Sequence, residues 1–281
     1  MSIKRKLLFS AYKAASTIGF FSIRNASSPY GSILMYHRVN DYDPDCLSTP
    51  ISVFEETLLA LKDKYRVVPL SLLLDRISEK RNIEPGTVVI TFDDGYRDNF
   101  LIAAPLLRKY QLPATFFVTS QYTGTTRVFP WDAQSSIDHP LMNWDEVREL
   151  YRMGFEIGGH TSNHVNLGIV PLDEAKQEIF ESKEKIEEEI GDRITAFAYP
   201  FGGRDCIRDE ILPIITAAGY RCCCSGFGGK VNKDSSLFNL SRVPVYQTTT
   251  EMLMEIDNFM TYCDGKMRIH FTASDTGQCH G

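Results

Sequence analysis

The sequence predicts an α/β fold, a distorted (β/α) barrel of about seven parallel strands. Three observations lead there. Short apolar runs alternate with amphipathic stretches along most of the 281 residues, the pattern of parallel strands joined by covering helices. The length suits one large domain with a full core, or two small ones. The residues best equipped for chemistry directly or closely follow predicted strands, where a parallel barrel carries its site.

Residues 1–31 read as an N-terminal amphipathic or signal-like helix and linker. Lys4-Arg5-Lys6 precedes an apolar stretch over 7–23 that Lys13 interrupts. Leu7, Leu8, Ala11, Ala14, Ala15 and Ile18 recur at helical spacing. That suits a helix lying on a membrane or on the domain itself; a signal peptide over residues 1–26 is the alternative. Ser, Asn, Pro and Gly over 25–32 mark the linker.

The main domain is expected over 32–247. A short apolar strand over 32–36 ends at His37. Residues 53–64 make a helix with Phe54, Leu58, Leu59 and Leu61 on one face. A brief strand over 66–69 leads to a helix over 71–77, with Ser71 as candidate N-cap. Residues 88–92 form a buried strand. The stretch 99–110 is helical, with Pro105 distorting it or sitting near its first turn. A strand over 114–120 follows. Residues 122–140 lack a period and read as a long loop of the kind that serves as a lid. A helix over 144–153 and a strand over 155–157 lead to His160. The clearest helix spans 173–190, with Ala175, Ile179, Ile186 and Ile190 on one face. A strand over 194–199, a helix over 208–218 and a strand over 220–225 complete the alternation. Residues 248–281 form a C-terminal extension of unclear structure.

Composition narrows the function. With 43% hydrophobic and 23% charged residues the chain is ordinary for a globular protein. A net charge of −6 argues against nucleic acid as a partner. The seven cysteines contain no Cys-x-x-Cys pair, which argues against a structural zinc site. Cys222, Cys223 and Cys224 are consecutive and would point to alternate faces of a strand, poorly placed to pair. Free buried thiols suit a reducing compartment. The expected location is therefore cytoplasmic, peripheral at a membrane surface through residues 1–24; secreted or periplasmic is the alternative if residues 1–26 are a signal.

Two segments carry the chemistry. Thr91-Phe92-Asp93-Asp94-Gly95 places adjacent carboxylates where an apolar strand enters a glycine turn. Asp-Gly is common in turns, but two like charges side by side need a positive partner, and a metal ion would serve. His160-Thr161-Ser162-Asn163-His164 follows another Gly-rich turn, Gly158-Gly159. Histidines four apart share a face if that stretch is helical. Together the segments offer one carboxylate and two imidazoles, with a second carboxylate to spare, the composition needed for metal-assisted hydrolysis. Imidazole suits Zn, Ni, Co or Fe.

These segments resemble the polysaccharide deacetylase family, the NodB-like carbohydrate esterases. Residues 91–95 match its first motif and residues 160–164 its second. Ala198-Tyr199-Pro200-Phe201-Gly202 is similar to the third, but Ala198 stands where many members carry an Arg that orients the catalytic base. The fourth motif, an Asp-Trp pair, is missing; residues 222–229 occupy its place. The fifth, a C-terminal strand ending in a catalytic His, is poorly matched around His270. Ile33-Leu34-Met35-Tyr36-His37 matches it better at the other end. The chain thus resembles the circularly permuted branch that includes poly-N-acetylglucosamine deacetylases, with the strand bearing the acid histidine first.

The resemblance implies a NodB-like barrel and a hydrolase that removes N-acetyl groups from an N-acetylated sugar in a polysaccharide, oligosaccharide or glycolipid. It implies Asp94, His160 and His164 as ligands of one divalent metal ion, Zn foremost with Co or Ni as alternatives. Asp93 would be the base and His37 the acid. The backbone N–H of Phe201 would hold the oxyanion, with Tyr199 and Pro200 beside it. Trp131 and Trp144 are candidate sugar-stacking residues, with Phe129 and Tyr199 as further aromatics. Two other readings compete: hydrolysis of a non-sugar amide or cyclic imide at the same site, and a catalytically silent glycan-binding module.

Overall fold

The computed structural model describes residues 3–17 and 29–259. The elements run in chain order: α1 (Ile3–Thr17), β1 (Ser32–Tyr36), β2 (Arg38–Val39), β3 (Ser48–Thr49), α2 (Ile51–Lys64), β4 (Arg66–Val67), α3 (Leu70–Ser78) and β5 (Thr87–Phe92). Next come α4 (Ala104–Tyr110), β6 (Thr115–Val118), α5 (Trp144–Arg152), β7 (Glu156–Gly159), α6 (Leu172–Ile190), β8 (Ala196–Ala198), α7 (Leu212–Ala217), β9 (Cys222–Cys224), β10 (Val243–Pro244) and α8 (Thr249–Ile256). The expected parallel barrel is present. The main path is β10-β1-β5-β6-β7-β8-β9, with β4 against the start of β5. Every pairing in it is parallel.

The sheet curls into an incomplete barrel, and an irregular segment bridges its gap. Residues 237–240 hydrogen-bond to β9: the Cys223 N–H donates to Leu237 O and the Leu240 N–H to Cys223 O, both at 2.8 Å. A few residues later Val243 pairs with Leu34 of β1. First and last strands are therefore neighbours, as expected. Side chains alternate as the strand period requires. Ile33, Val89, Phe117, Ala196, Ala198, Cys222, Cys224 and Leu240 pack together as the barrel's filling. Leu34, Tyr36, Ile90, Phe92, Phe116, Val118, Phe197, Tyr199 and Cys223 join the layer beneath the helices. There Phe92 stacks on Phe116 at 4.8 Å and on Tyr36 at 5.3 Å.

The register aligns the strand ends on one rim. Tyr36 sits beside Phe92, Val118 beside Gly159, and Ala198 beside Cys224. The residues that follow, His37, Asp93 and His160, therefore emerge together.

Several local expectations need correcting. Ser71 is not the N-cap of α3; the helix starts at Leu70 after Pro69. The Glu156 carboxylate, on β7, accepts from the Leu70 and Ser71 N–H groups at 3.0 and 3.1 Å and so caps the helix. The 99–110 stretch divides into a π-helical turn, Asn99–Ala103, and α4, with Pro105 in the first turn where its missing N–H costs no bond. The C-terminal extension begins with α8, whose Thr248 cap side chain accepts from the Glu251 N–H. Its residues Met252, Leu253, Met254 and Ile256 join the main core. Helix α1 is docked on the domain. Leu8 and Tyr12 are buried in that core while Leu7 is 66% exposed, so the inward face runs through Leu8 and Tyr12, and Leu7, Ala11 and Ala14 of the expected apolar set lie exposed. The Tyr12 hydroxyl donates to Asp257 Oδ2 at 2.7 Å, and Tyr65 donates to Oδ1 at 2.8 Å. Among the described residues no helix is long and apolar enough to cross a membrane. Cys222 and Cys224 face the interior and Cys223 the helices, as the alternation requires; all three are free. Cys46, by contrast, is an exposed thiol. Ile18, most of the 25–32 linker, His270 and the 275–277 stretch lie outside the described residues.

Candidate active site

At the rim, Asp94, His160 and His164 converge. One ligand atom from each lies within 4.8 Å of the others. Both imidazole Nε2 atoms stand 3.3 Å from Asp94 Oδ1, yet no hydrogen bond satisfies that buried oxygen. The His160 Nδ1–H donates to the Ala198 carbonyl at 2.8 Å, which fixes the tautomer and leaves Nε2 bare. The bare His160 nitrogen, the His164 Nε2 beside it and an unsatisfied carboxylate oxygen, all buried, are the donor set a divalent cation takes. The residues present fit the group.

The histidine segment is not a helix. Its rings meet, 4.8 Å apart at their centroids, because Thr161 and His164 adopt left-handed backbone at φ 59° and 56°. Asp94 and Phe201 share that conformation, at φ 72° and 62°. Such backbone is costly for residues other than glycine, most of all for β-branched Thr161, and persists where surroundings enforce it. Here Glu178 of α6 does so. Its carboxylate accepts from the backbone N–H and from the side-chain amide of Asn163, both at 2.7 Å. Arg127 Nη1 donates to the side-chain Oδ1 of Asn163, also at 2.7 Å.

Asp93 points into the barrel beneath Asp94. Its carboxylate receives both arms of Arg242: Nη1 to Oδ1 at 2.7 Å and Nη2 to Oδ2 at 2.6 Å. Burial pushes the Asp93 carboxyl up, but the Arg242 guanidinium, then His160, pull it below the usual carboxylate range. Burial likewise opposes ionisation of Asp94, and the two imidazoles outweigh it, holding Asp94 well below that range. For His164 burial wins and lowers the pKa, favouring the neutral imidazole. For His160 burial is outweighed by Asp94 and Asp93, and the pKa rises.

His37 is half-buried at the end of β1 and close enough to lower the pKa of both aspartates. Its carbonyl accepts from the Asn99 amide at 2.7 Å. Asp98, next in the chain, accepts from the Val39 N–H and the Asn40 amide, so the segment after His37 is pinned from two sides. Phe201 is 47% exposed, its ring 4.7 Å from His164. The long 122–140 loop folds over the same histidine. Trp131 lies 4.9 Å and Phe129 5.4 Å from its ring. The Trp131 indole donates to the Tyr96 hydroxyl, which donates to Asp132.

Two expected side chains are elsewhere. Tyr199 alternates outward from the barrel; its hydroxyl donates to Phe238 O and its ring packs near Phe197. Trp144 opens α5, where the Lys185 ammonium lies over its ring at 5.6 Å. Pro200 is buried between Tyr199 and Phe201. Arg242, Glu178 and Asn99 are additions that no local sequence pattern singles out.

Fold and site together define a barrel hydrolase of the carbohydrate-esterase type, and the chain belongs to the polysaccharide deacetylase family, whose model matches residues 80–223. YxkH of Bacillus subtilis (strain 168), provisionally named a polysaccharide deacetylase, is 28% identical over 215 residues, 76% of this chain and 70% of its own length. The poly-beta-1,6-N-acetyl-D-glucosamine N-deacetylase of Staphylococcus aureus (strain MRSA252) is 25% identical over 186 residues, 63% of this chain. The chain spans 60% of that relative's length. Among solved structures, the Streptococcus pyogenes deacetylase PplD in complex with acetate superposes with a TM-score of 0.70, 23% identical, over 81% of this chain and 98% of that one. IcaB from Ammonifex degensii gives 0.69 at 20% identity, over 81% and 97%. At those identities the two likenesses concern the fold.

Proposed function

We propose that this chain is a metal-dependent N-deacetylase acting on N-acetylated sugar units of a polysaccharide, oligosaccharide or glycolipid. The observation that carries the reading is the buried Asp94–His160–His164 donor set with a separate carboxylate, Asp93, held apart from it by Arg242. Asp94, His160 and His164 would hold a divalent ion, which would supply Lewis acidity toward the acetamide carbonyl and the attacking water. Asp93 takes the proton of that water. The Phe201 N–H donates to the carbonyl oxygen as it gains charge. His37 gives a proton to the departing amine. The C–N bond breaks, a C–O bond forms, and acetate and an amino sugar leave. Phe201 and Trp131, 6.2 Å apart at the mouth, offer apolar faces of the kind a sugar ring covers. Relatives named for poly-N-acetylglucosamine support β-1,6-linked N-acetylglucosamine as the first substrate to try.

The test is acetate release from β-1,6- and β-1,4-linked N-acetylglucosamine oligomers by metal-stripped protein with Zn, Co or Ni added back. Release that depends on metal is expected. Metal binding with no acetate from any glycan would turn the reading toward a non-sugar amide. Glycan binding without metal or turnover would make the chain a silent module.

A further inference from the structure

We propose that Arg242 is the positioning residue for the base Asp93, replacing from the closing segment of the barrel the arginine that the third motif lacks at Ala198. The inference rests on the deacetylase reading above.

The guanidinium is fully buried and its fork is committed. Nη1 and Nη2 each take one oxygen of Asp93. Nε donates to the Ser225 carbonyl at 2.8 Å, and Nη1 also reaches Thr91 Oγ1 at 3.2 Å. The arm is therefore tied to β5, to the end of β9 and to the base at once. A planar fork matches a carboxylate in a way a lysine ammonium cannot.

The barrel filling explains the exchange of positions. Ala198 pairs with Cys224, and Cys224 bridges to Leu240. All three belong to the interior cluster, so Ala198 and the segment bearing Arg242 lie two strands apart around the same space. Ala196, Ala198, Cys222 and Cys224 are small, and the Arg242 guanidinium lies over the Phe117 ring, 5.7 Å from its centroid. An arginine at Ala198 would enter the volume that Arg242 now fills. The missing third-motif arginine is thus a relocation and not a loss.

A purely architectural role is the competing account. Buried ion pairs contribute little net stability, because desolvation offsets attraction. A pair retained beneath a metal-ligand set has a better use in orientation. Asp93 is adjacent to Asp94; with both oxygens engaged by the fork it is held in one direction, and Asp94 faces the histidines.

The experiment compares Arg242→Ala, Arg242→Lys and the double variant Arg242→Ala/Ala198→Arg. Each is measured for metal stoichiometry, thermal midpoint, kcat and KM on an N-acetylglucosamine oligomer. Misplacing a catalytic group by about 1 Å costs on the order of 10²-fold. Folded Arg242→Lys is expected to bind metal and substrate as wild type does while kcat falls by about that factor. Ala198→Arg in the Arg242→Ala background, or added guanidinium ion, should restore about tenfold or more of the lost kcat. Undiminished kcat in folded Arg242→Lys or Arg242→Ala would overturn the assignment. So would a loss of kcat that tracks the unfolded fraction and resists both rescues. Wild-type protein that releases no acetate would instead count against the deacetylase reading itself.

Discussion

Glu178 offers the sharpest test of how the metal loop is built. It touches no proposed ligand, yet it holds Asn163 between His160 and His164 through two bonds of 2.7 Å. At 7% exposure, water cannot readily replace it. Hydrogen bonds to a charged group contribute about 1.5–3 kcal/mol each, so Glu178→Ala removes up to about 3–6 kcal/mol from a loop carrying two left-handed residues. Part of that loss falls on folding. The part that loosens His164 falls on the metal, where losing such an outer support weakens affinity by about 10–100-fold, equivalent to about 1.4–2.7 kcal/mol. Glu178→Gln keeps one acceptor and sets an N–H against another donor, so its effect should be intermediate. Chelator competition on stripped protein measures the affinity, and melting of the metal-free variants measures the structural share. A folded Glu178→Ala chain that binds Zn as tightly as wild type would refute the reasoning.

Four further outcomes are expected. Asp93→Asn should keep metal and lose turnover by about 10²–10⁴-fold; loss of metal from a folded variant would make Asp93 a ligand. His37→Ala should also keep metal while kcat falls and the alkaline limb of the pH profile flattens; unchanged turnover would send the search to His270. Burial raises Asp98 to about 7 against the donors around it. A carboxyl whose folded pKa is raised favours the fold fully below its ordinary pKa, near 4, and loses that contribution as pH climbs to about 7, in total about 4 kcal/mol. Asp98→Asn should therefore flatten the decline of stability between pH 4 and 7, and parallel melting curves for both proteins would contradict this. Finally, we propose that α1 attaches the domain to anionic membranes through Lys4, Arg5 and Lys6 and its outward residue Leu7. Co-sedimentation with vesicles of anionic, but not neutral, lipid would support it, and equal recovery with both would oppose it.

The strand–helix alternation was readable because each element repeats its period over several residues. The candidate donor cluster was readable because its two histidines are four apart and its aspartate lies beside a second carboxylate, in two compact segments. Residues that act across the barrel were harder. Arg242 sits alone between Leu240 and Val243, and its partner is 149 positions away. The one available hint was physical: two neighbouring carboxylates need a buried cation, and an arginine within an apolar run is a candidate. Helical spacing misled at His160 and His164, since a strained loop can bring rings together as well as a helix can. Ser71 misled for a related reason, because a carboxylate on another strand outcompetes a local hydroxyl. Tyr199 and Trp144 were aromatic near a motif, but strand alternation sent one outward and the other lies at the start of α5.

The segment that seals the barrel also delivers the arginine, which gives the order of synthesis a consequence. All three proposed ligands and both proposed proton carriers precede residue 200, while the cation that steadies the base lies at 242. A nascent chain can gather its metal-binding side chains well before that point and still hold a base with no partner. Hydrolytic competence would then arrive with the last strand of the barrel, so that a half-made or clipped domain able to sequester metal stays chemically quiet.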